Sequence, residues 1–334
     1  MATIKDIARH TELSIATVSK FLNGGNVLPE NRERLEKAVK QLHYRMNHIA
    51  RGLKTRRTMT IGVLIPRFDN YFYSNMVSVI ETMLSRKGYS AITCAYQDEV
   101  KMEHEKLEFL LGKSVDGIIF VPLGAKSGRI SALKNHPVPI VMIDRACDGI
   151  KCDRVLSDNR GAIRESVLHL HGLGHRRIGI ILGPEGIYTA DERYNAFRQA
   201  VADFGLDPDP QLIRRGDYRT GSGSRCVADF LRLEPRPTAL IVTNCEMTVG
   251  AIVALETARI KVPQQLSLIG FDNLELAMAV HPRVCTVVQN IERMGERAVS
   301  LLLERIEGGA TDGHANIVFD VSLAVNASTG PACT

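Results

Sequence analysis

Two short amphipathic segments between Thr3 and Leu22 are separated by only three residues, Glu12-Leu13-Ser14, and that spacing forces two helices to meet across a tight turn. Thr3 followed by Asp6 reads as a capping box for the first helix, about two turns long. Ile4, Ile7 and Ala8 share its inner face, and Ala8 is small enough for close crossing. Leu13 fills the angle, and Ser14 caps a second helix from Ile15 to about Leu22 whose Val18 and Leu22 point inward. That leaves Ile15, Ala16, Ser19 and Lys20 facing outward. A third helix, from about Pro29 to His43, puts Leu35, Ala38, Val39 and Leu42 on one stripe. Helices this short, with a Ser/Thr-rich outer face, make little sense as packing alone. They make sense as a helix-turn-helix whose second helix enters a major groove N-terminus first.

Charge points the same way independently. Residues 1–58 hold 12 Lys/Arg against 5 Asp/Glu, a net of +7, whereas the other 276 residues hold 30 against 32, a net of −2. The positive excess is therefore confined to one small module on a near-neutral body, the footprint of a nucleic-acid-binding head. The chain's 334 residues exceed one ordinary core, and a 45% hydrophobic content is that of a folded globular protein. No apolar run is long enough for a membrane span, and the first residues lack a secretory core. Seven scattered cysteines without a repeated Cys-x-x-Cys imply reduced thiols in a cytoplasm, with no disulfide framework, metal or cofactor.

Thr3 to Asn23, followed by Leu42-His43-Tyr44, Asn47 and Ala50-Arg51-Gly52-Leu53-Lys54, resembles the head and hinge of the lactose-repressor (LacI/GalR) family of bacterial transcription regulators. The resemblance extends over nearly the whole chain. It implies that Ile15, Ala16 and Lys20 choose the DNA operator, and that Ser14, Thr17, Ser19, Asn23 and Asn26 contact phosphates or neighbouring bases. It also implies that residues 47–54, with Asn47, Ala50 and Lys54, form a hinge helix that wedges Leu53 into the minor groove when two copies meet. The chain departs from the family at Met46, where Pro is usual, at Leu28, where Ser caps the third helix, and at Gly52.

From Met59 the pattern becomes short apolar strands alternating with amphipathic helices. The strands expected are Thr60–Ile65, Ser90–Ala95, Gly117–Val121, Ile140–Ile143, Arg177–Leu182, Ala239–Thr243 and Leu266–Gly270. Runs that are apolar on both faces belong to parallel sheets, and two such series imply two doubly wound α/β lobes with a ligand at the carboxyl ends of their strands. The body resembles the periplasmic sugar-binding-protein fold that the family uses as its effector-binding core, crossing between lobes near Asn159, Gln289 and Phe319. The expected organisation is a helix-turn-helix domain at 1–46, a hinge and linker at 47–58, one lobe of 59–159 with 289–318, and a second of 160–288 with 319–334.

Residues just past each strand are the pocket candidates. They are Asn70, Phe72 and Tyr73 after the first strand, Asp144 and Arg145 after the fourth, and Asn244 and Asp272 after the last two, together with Gln289. Arg193 matches the arginine of the family's Arg-Leu-x-Gly-Phe pattern. Rings beside carboxylate, amide and guanidinium groups suit a hydroxyl-rich sugar, because each hydroxyl both donates and accepts. Arg67, Arg145 and Arg193 together extend the expectation to a sugar acid. His169, His171 and His175 are too badly placed along a helix and its turn for a metal, and no nucleophile elbow or complete dinucleotide fingerprint is present. The expected protein is thus a cytoplasmic, ligand-controlled, homodimeric DNA-binding repressor and not an enzyme. A sugar-transport protein would share the body, and a Rossmann-like enzyme would share its α/β alternation. The helix Tyr73–Lys87 carries Met76, Val77, Val79, Ile80 and Met83, more apolar residues than one lobe face was expected to need, which places part of it at the dimer seam.

Overall fold

The computed structural model describes residues 2–22, 24–44, 57–124, 133, 138–309 and 313–333, and its contacts divide the chain into two units, residues 1–58 and 59–334. Asn23, Asn47, Ala50, Leu53 and Lys54 lie outside the described residues.

In the first unit, α1 (Ile4–Thr11) is closed by the Thr3/Asp6 capping box: the Asp6 amide donates to Thr3 Oγ1 at 3.3 Å and the Thr3 amide to Asp6 Oδ2 at 2.9 Å. It ends at Glu12, whose φ of 52° turns the chain so that the Leu13 amide reaches Ala8 O. Helix α2 (Ile15–Leu22) starts with the Thr17 amide donating to Ser14 Oγ at 3.1 Å. Helix α3 (Pro29–Gln41) begins at Leu28 without a side-chain cap, Pro29 supplying the first helical φ, and stops short of His43. Ile7, Ala8, Val18, Leu35 and Ala38 form the buried core, with Ile4, Leu13, Leu22, Val39 and Leu42 packed around it.

The second unit runs β1 (Thr60–Ile65), α4 (Tyr71–Arg86), β2 (Ser90–Ala95), α5 (Val100–Gly112), β3 (Gly117–Phe120), β4 (Ile140–Ile143) and β5 (Asp153–Ser157). It continues through α6 (Asn159–Gly172), β6 (Ile178–Leu182), α7 (Tyr188–Asp203), β7 (Ile213–Arg215), α8 (Thr220–Leu231), β8 (Ala239–Val242), α9 (Cys245–Thr257) and β9 (Ser267–Phe271). It closes with α10 (Leu274–Ala279), β10 (Cys285–Val288), α11 (Ile291–Ile306), β11 (Asn316–Phe319) and β12 (Ser322–Ala324). Two six-stranded sheets result, in the orders β11-β5-β4-β3-β1-β2 and β12-β10-β9-β8-β6-β7. All neighbours are parallel except β12, which runs antiparallel to β10. Each sheet therefore has the order 2-1-3-4-5 plus one late strand, with its switch point beside its first strand, and the apolar central strands of both are covered by helices.

Two features fix what faces the cleft between the sheets. Helices α8 and α9 cross glycine on backbone: a Cβ on Gly250 would lie 2.0 Å from Thr220 O, and one on Gly223 2.2 Å from Met247 O. That contact sets the position of the first turn of α9. On the other lobe, the apolar surplus of α4 is used within the chain. Met76 and Ile80 are buried, Val77 and Met83 pack on the same cluster, and a Cβ on Gly295 of α11 would lie 2.8 Å from Val79 Cγ1. Helix α11, entering late in the sequence, covers part of this surplus, and Val77, Val79 and Met83 stay half-buried in the single chain.

Candidate functional site

The head presents one open groove lined by Ala16, Thr17, Lys20, Asn26, Leu28 and Arg32. Ile15 stands 51% exposed at the start of α2, and Ala16, Lys20 and Asn26 are also exposed, whereas Val18 is fully buried on the opposite side. Ser14 Oγ lies 2.9 Å from Thr17 Oγ1, so the two hydroxyls at the helix start are held together. The helix N-terminus concentrates unpaired amides and positive dipole on this face, and Lys20 and Arg32 add full charges.

In the second unit, Asn70, Phe72, Tyr73, Asp144, Arg145, Arg193, Asn244, Asp272 and Gln289 line one cavity between the two sheets. Pro66, Arg67, Asp98, Thr189 and Tyr218 complete its wall. Nearly all of these lie just past the carboxyl end of a strand. The cavity measures about 40 Å³. A water needs about 10–15 Å³ of such space, so the cavity holds a few waters and a larger ligand needs its walls to move apart.

Asp144 and Asp272 occupy corresponding places in the two lobes, each after the fourth strand of its sheet. Both have left-handed backbone, with φ of 66° and 72°, which Asp tolerates better than most side chains. Both amides donate to the next strand, Asp144 to Val155 O at 2.9 Å and Asp272 to Val287 O at 2.7 Å. This bends each carboxyl group into the cavity, and neither is a helix cap. Asp144 Oδ2 accepts from Tyr73 Oη at 2.9 Å, and Asp272 Oδ1 from Gln289 Nε2 at 2.7 Å. Burial raises the pKa of both, with Asp272 pushed up to about 6 against the favourable field of Arg193.

Arg193 is buried, donates from Nε to Asn159 Oδ1 at 2.7 Å and from Nη1 to Thr243 O at 2.5 Å, and lies 4.5 Å from the Phe271 ring centroid. Arg145 sits between Tyr73 and Tyr218, its guanidinium 5.7 and 6.0 Å from their ring centroids and 3.8 Å from Asp144. Its Nε and Nη1, and Gln289 Oε1, are the buried side-chain polar atoms without a hydrogen-bond partner among the described residues. Arg67, by contrast, is engaged by Asp69. Phe72 is both core and wall, meeting Tyr73 edge-on at 5.4 Å.

Asn70 and Asn244 prove to be the N-caps of α4 and α9, accepting from the Tyr73 amide at 3.1 Å and the Met247 amide at 3.0 Å. Cys245 is buried behind Asn244, its thiol pushed up to about 12 by burial. His175 bonds Thr238, Ser267 and Gly330 O, and His169 bonds Thr329, so both are structural. No cluster of three metal-ligating side chains occurs among the described residues, nor a helix long and apolar enough to cross a membrane.

Residues 3–47 match the model of bacterial regulatory proteins of the lacI family, and residues 167–329 that of a periplasmic binding protein-like domain. The chain is 32% identical over 309 residues to the HTH-type transcriptional repressor PurR of Aliivibrio salmonicida, covering 92% of this chain and 93% of that one. It resembles the lac repressor dimer bound to operator and the anti-inducer ONPF, with 25% identity, a TM-score of 0.88 and coverage of 98% and 99%. It also resembles a LacI family transcriptional regulator from Enterococcus faecium with bound ribose, with 26% identity, a TM-score of 0.73 and coverage of 82% and 100%.

Proposed function

The chain belongs to the lacI family of bacterial regulatory proteins, and on that footing we propose that it represses transcription from a palindromic operator as a cytoplasmic homodimer, under control of a neutral monosaccharide bound between its lobes. Each head reads one half-site through Ile15, Ala16 and Lys20, with Ser14, Thr17, Ser19, Asn23 and Asn26 placing it on the backbone. The hinge residues Asn47, Ala50, Leu53 and Lys54 join two copies in the minor groove. The lobes are 59–159 with 289–318 and 160–288 with 319–334. The protein has no catalytic role: its pocket groups recognise and do not react.

The observation that carries the ligand class is the pairing of donors and acceptors around one cavity. Arg145 offers two buried donors without partners, Gln289 one buried acceptor, and Asp144 and Asp272 carboxylate oxygens, all walled by Phe72, Tyr73 and Tyr218. Leaving such groups unpaired costs about 1–3 kcal/mol each. A ring of vicinal hydroxyls supplies acceptors to Arg145 and Arg193 and donors to the carboxylates at once. A sugar acid fits less well. Asp69 engages Arg67, Asp144 flanks Arg145, and a further carboxylate would face two acids that burial already pushes toward neutrality.

The test is an operator selected from a random palindromic library, bound by the full chain, and challenged with equal concentrations of neutral aldoses and of aldonic and uronic acids at fixed ionic strength. A neutral aldose should change the fraction of DNA bound. A response to the acids alone would reject the neutral ligand, and failure to select a palindrome would reject the repressor reading.

A further inference from the structure

The first turn of α9 carries a carboxylate across the cleft. Glu246 Oε2 accepts from Asn70 Nδ2 at 2.9 Å, and Oε1 accepts from the Tyr71 amide at 3.1 Å. Asn70 is the N-cap of α4 and Tyr71 its first residue, both in the lobe opposite Glu246. Glu246 Oε2 also accepts from Asn244 Nδ2, the N-cap of its own helix. One carboxylate thus sits between the facing N-termini of two helices, of 16 and 13 residues, and holds both capping asparagines.

Each helix N-terminus carries a partial positive charge of roughly half an elementary charge, so two such ends brought face to face repel unless an anion lies between them. Asn70 and Asn244 use their oxygens as caps and turn their amide groups toward Glu246. Glu246 does not line the ligand cavity. We propose that Glu246 is an interlobe latch: it stabilises the closed arrangement of the lobes from the rim, through the capping asparagines Asn70 and Asn244 that themselves line the cavity. The proposal does not depend on which ligand the cleft takes. It makes the closing equilibrium a property set partly by one residue that does not itself line the cavity.

Hydrogen exchange of the ligand-free, full-length protein tests this. Glu246→Ala should raise exchange in the cleft-lining segments 97–99 and 144–146 of one lobe and 217–219 of the other, by roughly tenfold or more, the scale of one lost charge-assisted hydrogen bond. The strands β3 and β8 should stay as protected as in the wild type. An increase confined to residues 70–73 and 244–248 would make Glu246 a local cap and overturn the latch. If Glu246→Ala loosens the strands as well, Glu246→Gln decides by the same comparison. That variant keeps the shape and one acceptor but loses the charge and the second acceptor, and it should show a smaller rise in the same segments of both lobes. No rise beyond the two helix starts would again overturn the proposal.

Discussion

Asp272→Asn should stabilise the ligand-free protein while removing its response to sugar. Burial raises the Asp272 pKa from 3.8 to about 6, so the folded protein binds this proton at pH values where the unfolded chain has released it. The ionised form therefore costs the folded state about 3 kcal/mol, at 1.36 kcal/mol per pH unit. The sign follows from linkage: as pH rises from about 4 to about 6 this group's contribution becomes steadily less favourable, and above about 6 the full penalty is in place. Asparagine removes the charge, keeps an oxygen to accept from Gln289 Nε2, and tolerates the left-handed φ of 72°, which alanine would not. At pH 7 the variant should melt higher by up to roughly 6–12 °C, taking 2–4 °C per kcal/mol for a domain of this size. Between pH 7 and pH 4.5 the gap should shrink by more than half, because the wild-type carboxyl protonates; the other acids are common to both proteins and largely cancel. Calorimetry across that range measures it. A variant that melts no higher at pH 7, or whose advantage does not change with pH, would show that Asp272 is solvated or paired well enough to carry no penalty.

Arg193→Ala should abolish sugar binding and also lower the melting temperature by several degrees, because it strands Asn159 Oδ1 and Thr243 O in a buried site, at about 1–3 kcal/mol each. Arg193→Lys, retaining charge without the planar fork, should recover part of the stability and none of the binding. Operator affinity should fall with salt at a log–log slope of roughly −5 to −9 if the dimer neutralises about six to ten phosphates; a slope near zero would contradict groove binding by the +7 head. Lys20→Ala should compress the affinity difference between the selected operator and its single-base variants, whereas uniform weakening across all sequences would make Lys20 a phosphate contact.

The cleft was largely legible because it obeys a rule that needs only strand ends. Runs such as Ile140–Ile143 and Ala239–Val242 are apolar on both faces, so their limits are plain and the polar residues that follow, Asp144 and Asn244, stand out. Where the strand itself was hidden, so was the residue after it. The strand Ile213–Arg215 is three residues long and two are arginines, and Tyr218 beyond it gave no signal, although its ring lies so near Gly183 that a Cβ there would be 2.0 Å away. Asp98 sits in a turn of ordinary composition, and Thr189 in the first turn of α7 with nothing in its neighbours to single it out. Glu246 was unreadable for another reason: its partners, Asn70 and Tyr71, are 175 residues or more away in sequence and belong to the other sheet. Part of the cover of α4 was hidden for the same reason, since it comes from α11 more than 200 residues later.

The switch then emerges as a balance between groups that favour closure and groups that resist it. Asp144 and Asp272 are buried in the cleft from opposite sides, and burial raises the pKa of each, so their partners replace water incompletely. The pKa of Glu246 is also pushed up by burial, but Glu246 accepts two bonds from the facing helix start, which the two aspartates do not. A sugar that donates hydroxyls to both aspartates lowers the penalty of the closed form and has no comparable interaction with the open one. Its leverage is therefore bounded by the cost it relieves. The bound is set by the share of that cost that arises on closing, and allosteric couplings span about 1–3 kcal/mol, or roughly 5–150-fold. An effector that bound the cleft without reaching the aspartates would occupy the site with little effect on the lobes, because a ligand moves an equilibrium only by the difference in its affinity for the two states.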